Sequence, residues 1–191
     1  MDSSFALLFS SIFIANIVLV QFLGICSFLG VSKNMRNAAG MSAAVAFVMV
    51  LSAVVTWLVY HYVLLPLALD YLKTIVFILT IASLVQLVEM FLKKKMPALY
   101  KGMGVFLPLI TTNCTILGIA LLNIQKQYDL WLSVVNAAGT AIGYTLALVV
   151  FSCIRERLDQ SLVPDAMKDL PVALITASCM SLALMGLAGI H

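Results

Sequence analysis

Apolar residues run along this chain in long, nearly unbroken stretches, with polar residues gathered into short clusters between them. Charge-free runs lie between Asp2 and Lys33, Arg36 and Asp70, Lys101 and Lys126, Asp129 and Arg155, and from Asp169 onward. A sixth, from Thr74 to Leu92, is interrupted only by Glu89. Each is about as long as the roughly 20 apolar residues that one membrane-spanning helix needs. The runs are apolar on every face and lack the alternation of a barrel strand, so their backbone groups have to be satisfied within helices. The pattern predicts an all-α membrane protein with six transmembrane helices.

Composition agrees with lipid as the main solvent: 63% of the 191 residues are hydrophobic and 10% charged, too little polar surface to coat a water-soluble globule. The first run lacks a basic leader region, begins at Asp2 and continues well past the length of a signal core, so it is expected to be retained as a span. The whole of 1–191 is expected to form one integral membrane domain.

Charge then sets orientation. If six spans alternate, Lys33, Arg36, Lys93, Lys94, Lys95, Lys101, Arg155, Arg157 and Lys168 fall on one side, and only Lys73 and Lys126 on the other. Short basic loops stay in the cytoplasm, which places both termini on the outer side of the membrane. The net charge of +3 belongs to this topological signal and gives no reason to expect nucleic-acid binding.

Three weak internal echoes occur in consistent order. Cys26-Ser27-Phe28-Leu29-Gly30 matches Cys114-Thr115-Ile116-Leu117-Gly118, and Asn37-Ala38-Ala39-Gly40 matches Asn136-Ala137-Ala138-Gly139 at an offset of 99. Leu79 to Ser83 matches Leu174 to Ser178. They divide the chain into repeats of about 1–95 and 96–191, and three spans per repeat makes the second enter the membrane from the opposite side. Such inverted repeats place their functional centre near the bilayer midplane, where broken helices expose backbone polar groups. Gly24 and Gly30 flank Cys26, and Pro108 and Gly118 flank Cys114, with Ser27, Thr111, Thr112, Asn113 and Thr115 nearby. The first and fourth spans are therefore expected to be broken. Because Cys26 lies only seven residues before Lys33, extended chain is expected after it.

Of the four cysteines, only Cys26 and Cys114 occupy equivalent repeat positions, and no CxxC spacing is present. Paired thiols at a deeply buried two-fold interface allow a disulfide, a metal site, or half of an iron–sulfur cluster. A [2Fe–2S] cluster normally takes four cysteines, so two more would have to come from a second chain of the same architecture.

The segments FLGICSFLGVSK (22–33), VQLVEM (85–90), FLPLITTNC (106–114) and IRERL (154–158) resemble the A subunits of Rnf complexes, the ion-translocating ferredoxin:NAD oxidoreductases of bacterial membranes. The homologous subunits of the sodium-translocating NADH:quinone reductase are similar, but the double threonine Thr111-Thr112 and the short loop after His61 favour Rnf. The resemblance implies a partnership with the inverted paralogue, the E-type Rnf protein, each chain supplying two membrane cysteines, here Cys26 and Cys114, to one [2Fe–2S] cluster. It further implies an inner-membrane complex with subunits B, C, D and G, and electron transfer coupled to Na+ or H+ movement. The NAD site lies elsewhere in the complex, since no dinucleotide motif is present here.

Other polar residues carry weaker expectations. Asn113, beside Cys114, is a candidate for supporting that ligand. Glu89 is the one carboxylate inside an expected span, either an ion-path residue or a boundary partner of Lys93 one helical turn on. Asn16 and Asn136 are expected to pack through interhelical hydrogen bonds, and Tyr60, His61 and Tyr62 to anchor at the interface. A secondary transporter with inverted repeats and no redox centre is the rival reading, and a thiol oxidoreductase using a Cys26–Cys114 disulfide a further one.

Overall fold

A computed structural model describes residues 8, 10–14, 16–32, 35–67, 70–95, 109–110, 112–159 and 170–188. Among these residues the secondary structure is entirely helical. A π-helical turn, Ser10–Ile14, precedes α1 (Ile17–Val20) and α2 (Ile25–Val31). Then come α3 (Met35–Val59), continued by a π turn at Tyr60–Leu64, and α4 (Lys73–Lys95). The second half holds α5 (Cys114–Gln125), α6 (Leu130–Asp159) and α7 (Leu170–Ala188).

Three of these helices are long and apolar enough to cross a bilayer: Ala38–Leu64 at 27 residues, Lys73–Met90 at 18 and Leu130–Leu158 at 29. Cys114–Gln125 and Leu170–Gly186 are apolar but shorter. Much of the large apolar surface faces outward, including Phe47, Leu79, Leu87, Trp131 and Leu182, each more than 60% exposed. Only lipid or partner helices can cover such a surface.

The most extensive packing joins α3 to α6. Ala38, Ala53, Ala137, Ala141 and Ala147 are fully buried, and small side chains of this kind let helix backbones approach closely where lipid offers no hydrophobic drive to associate. Met41, Val45, Met49, Tyr144, Leu148 and Phe151 fill the remaining space in the same core.

The first apolar run is broken at one of the two glycines expected to break it, but the extended chain expected after Cys26 is absent. The helix is interrupted at Gln21 to Gly24, before Cys26, with Phe22 at φ +56° and Gly24 at φ +87°. Cys26 is followed by helix rather than extended chain, because α2 resumes at Ile25. Gly30 and Gly118 are helical, so of the three glycines flanking the cysteines only Gly24 acts as a breaker. Asn16 caps α1 by accepting from Val18 N–H, and two bonds tie this segment to the second half of the chain: Asn16 donates to Gly143 O (3.1 Å) and Ser181 donates to Leu19 O (2.6 Å). In the fourth run α5 begins at Cys114; Pro108 and Thr111, as well as Lys33, Lys101, Lys168 and both termini, lie outside the described residues.

Candidate functional site

Two helix starts meet at the centre of the site. Cys114 is the first residue of α5, and Asn113 caps that helix by accepting from Thr115 N–H at 3.1 Å, with extended backbone (φ −70°, ψ 112°). Asparagine favours this position because its side-chain oxygen satisfies an N–H that the first helical turn leaves open. Cys26 lies in the first turn of α2, directly after the Gly24 break.

The connection between the two is a backbone bond: Gly24 N–H donates to Sγ of Cys114 at 2.9 Å, across 90 residues of sequence. The left-handed conformation at Gly24 aims this N–H, and a side chain there would run into Thr115 Oγ1. The thiols of Cys26 and Cys114 are close enough to interact directly, and both are free.

Behind the thiols sits a buried polar group. Ser27 donates to Gly24 O (2.9 Å) and shares a hydrogen bond with the hydroxyl of Tyr144 at 3.0 Å. Asn113 Nδ2 reaches Ser27 Oγ at 3.5 Å. Tyr144, Ser27 and Thr115 are all wholly buried, and Thr115 Oγ1 is the one buried side-chain polar atom without a hydrogen-bond partner among the described residues.

Within the chain Cys26 is exposed and Cys114 half-buried, so the thiol pair opens to one side of the molecule. Among the described residues no group of three or more His, Cys, Asp and Glu side chains converges, and this chain therefore brings two soft donors together and not four.

The other expected residues are dispersed. Glu89 is half-buried in the last turn of the apolar span Lys73–Met90, a boundary position. Cys153 and Cys179 are exposed on α6 and α7. Asn136 makes the expected interhelical bonds, accepting from Ser11 Oγ (2.8 Å) and donating to Asn123. His61 is exposed on the π turn and stacks on Trp57 at 5.1 Å, which suits an interfacial anchor. Sequence reasoning missed Tyr144 and the Gly24 N–H. The first looks like any interior aromatic on α6, and the second is a main-chain group that no motif advertises.

The family model described as "Rnf-Nqr subunit, membrane protein" matches residues 4–191. The chain is 54% identical over 183 residues to the A subunit of the Na(+)-translocating ferredoxin:NAD(+) oxidoreductase complex of Acetobacterium woodii, covering 96% of this chain and 95% of that protein. It is 51% identical over 190 residues to the A subunit of an ion-translocating oxidoreductase complex of Syntrophotalea carbinolica, covering 100% and 98%. A protein of the same description from Methanosarcina acetivorans is 45% identical over 190 residues, covering 99% and 96%. With matches of this extent, the broken first span and the thiol pair belong to a multi-pass membrane protein of the Rnf-Nqr family.

Proposed function

We propose that this chain is the A-type membrane component of a complex that couples electron transfer between ferredoxin and NAD to the movement of Na+ or H+, and that Cys26 and Cys114 are half of the ligand set of a [2Fe–2S] cluster. The observation that carries the reading is the meeting of the two thiols, one from each half of the chain, tied together by the Gly24 N–H to Cys114 bond. The relatives, named as A subunits of ion-translocating oxidoreductase complexes, support the same assignment.

The residues fit the group. Two free thiols stand side by side, open outward, with no third ligand of the chain beside them among the described residues. A four-cysteine cluster would then be completed by a pseudo-symmetric paralogue, the E-type Rnf protein, docked on the open side. When bound, such a cluster supplies a one-electron relay inside the membrane. The chain's own contribution is to hold the thiols, to donate a backbone N–H to one sulfur, and to surround them with a buried polar group; hydrogen bonds to sulfur are among the levers that set cluster potentials.

This reading goes with six spans in two inverted repeats, termini on the outer face, and residence in the bacterial inner membrane with subunits B, C, D, E and G. The NAD site belongs to one of those partners. Glu89, in the last turn of the apolar span Lys73–Met90, is the boundary partner of Lys93 in this reading, with an ion path through its carboxylate as the alternative.

The test is the iron content and electron paramagnetic resonance spectrum of the dithionite-reduced complex, wild type against Cys26→Ser and Cys114→Ser. One [2Fe–2S] signal should vanish in both variants while the other centres persist. An unchanged spectrum would defeat the proposal and put a redox-free secondary transporter in its place.

A further inference from the structure

Helix α2 is seven residues long and is fastened to one strip of α6 along its whole length. Ser27 meets the Tyr144 hydroxyl at 3.0 Å, and Phe28 stacks on Phe151 with ring centroids 4.3 Å apart. Ser152 Oγ donates to Ser32 O at 3.0 Å. At the far end Arg155 Nη1 donates to Leu29 O and to Ser32 Oγ, each at 2.7 Å. Positions 144, 151, 152 and 155 share one face of a helix, so α6 presents a continuous track to α2. On the opposite side of α2, Cys26 and Gly30 are exposed.

Arg155 supplies the charged contact in this track. The last carbonyls of a helix have no partner within it, and a guanidinium placed on them is both a donor and a charge of the right sign. A mere topological anchor would aim its charge at water and headgroups, whereas Arg155 is half-buried and aimed at the end of α2. Nothing comparable stands at the position related to Arg155 by the 99-residue repeat offset: there Thr56 bonds within its own helix, to Ser52 O at 2.6 Å.

We infer that Arg155 is the positioning residue for Cys26: by latching the C-terminal end of α2 onto α6 it fixes where the helix presents its thiol. The role of Cys26 as a cluster ligand rests on the function proposed above; the latch itself does not.

The experiment has two arms chosen to separate these claims. In membrane vesicles holding the full chain expressed without its partners, the rate of Cys26 alkylation by N-ethylmaleimide is followed by mass spectrometry, with Cys153 and Cys179 as internal standards. Arg155→Gln should change the Cys26 rate at least threefold relative to those standards, Arg155→Lys should change it less, and Arg157→Gln, two residues on and exposed, should leave it unchanged. An unaltered Cys26 rate in Arg155→Gln, or an equal change in Arg157→Gln, overturns the latch. If Arg155→Gln does not accumulate, Arg155→Met, which keeps the stem and removes the donors and the charge, decides by the same threefold criterion: a Cys26 rate within error of wild type overturns the proposal. In the assembled complex, Arg155→Gln should keep the iron content but shift the resonance line shape of the signal that Cys26→Ser abolishes. A signal untouched by Cys26→Ser defeats the cluster reading while the labelling arm still judges Arg155.

Discussion

Asn136 donates from Nδ2 to Oδ1 of Asn123 at 2.6 Å, joining α6 to α5 across the turn that links them. Each amide is used twice, since Asn136 also accepts from Ser11 and Asn123 also donates to Ser133 O at 3.4 Å. Interhelical bonds in membranes are worth only about 0.6 kcal/mol on average and about 1.7 kcal/mol at most. A double-mutant cycle on Asn123→Ala and Asn136→Ala, measured by reversible unfolding in mixed micelles, should give a coupling in that range. A coupling of zero would mean that the pair merely fills space.

Gly24→Ala should destabilise the chain on two separate counts. A residue with a Cβ at φ +87° costs about 1–2 kcal/mol in backbone strain, and the new methyl runs into Thr115 Oγ1. Adding Thr115→Ala should recover the steric part and leave the strain, so the double variant should melt between Gly24→Ala and wild type. Full recovery would show that strain at Gly24 is negligible.

The cap of α5 gives a neutral-residue comparison. Asn113→Ala should cost about 1 kcal/mol, and Asn113→Ser, which retains a capping oxygen, should cost clearly less. Thermal unfolding of the purified chain reads this directly. Equal losses would mean that the contact from Asn113 to Ser27, and not the cap, is what matters.

The span Leu130–Leu158 predicts opposite exposures for its two ends. In a background lacking the other cysteines, an impermeant maleimide added to intact cells should label Asp129→Cys and spare the native Cys153, which becomes reactive when the cytoplasmic face is opened. The reverse pattern would invert the orientation; labelling of both from one side would show that α6 does not cross.

Helix class and approximate placement were legible because lipid imposes a simple rule, a long apolar run for each crossing, and charges mark the ends. The run from Arg36 to Asp70 became α3 and its π turn, and the run from Asp129 to Arg155 became α6, nearly at those limits. The pairing of Cys26 with Cys114 was legible through internal similarity. Gly24 marked the break in advance, but the helix that resumes at Ile25 was not legible, because the partners that hold the break, Asn16, Gly143 and Ser181, are scattered through the chain. Arg155 was misleading in a different way: its charge reads as a topological flank, and only packing reveals that it ends another helix.

The bond from Gly24 to Cys114 also bears on how the protein is made. Its two residues are 90 apart in the chain, and at about 5–20 residues per second a ribosome needs on the order of 5–20 s to deliver the second after the first. For that interval the newborn membrane segment carrying Cys26 has neither the sulfur its turn is built around nor the α6 track that receives it. The site is a late product of synthesis, and the early segment must wait in the translocon or the bilayer with an unpaired thiol and an unfilled turn.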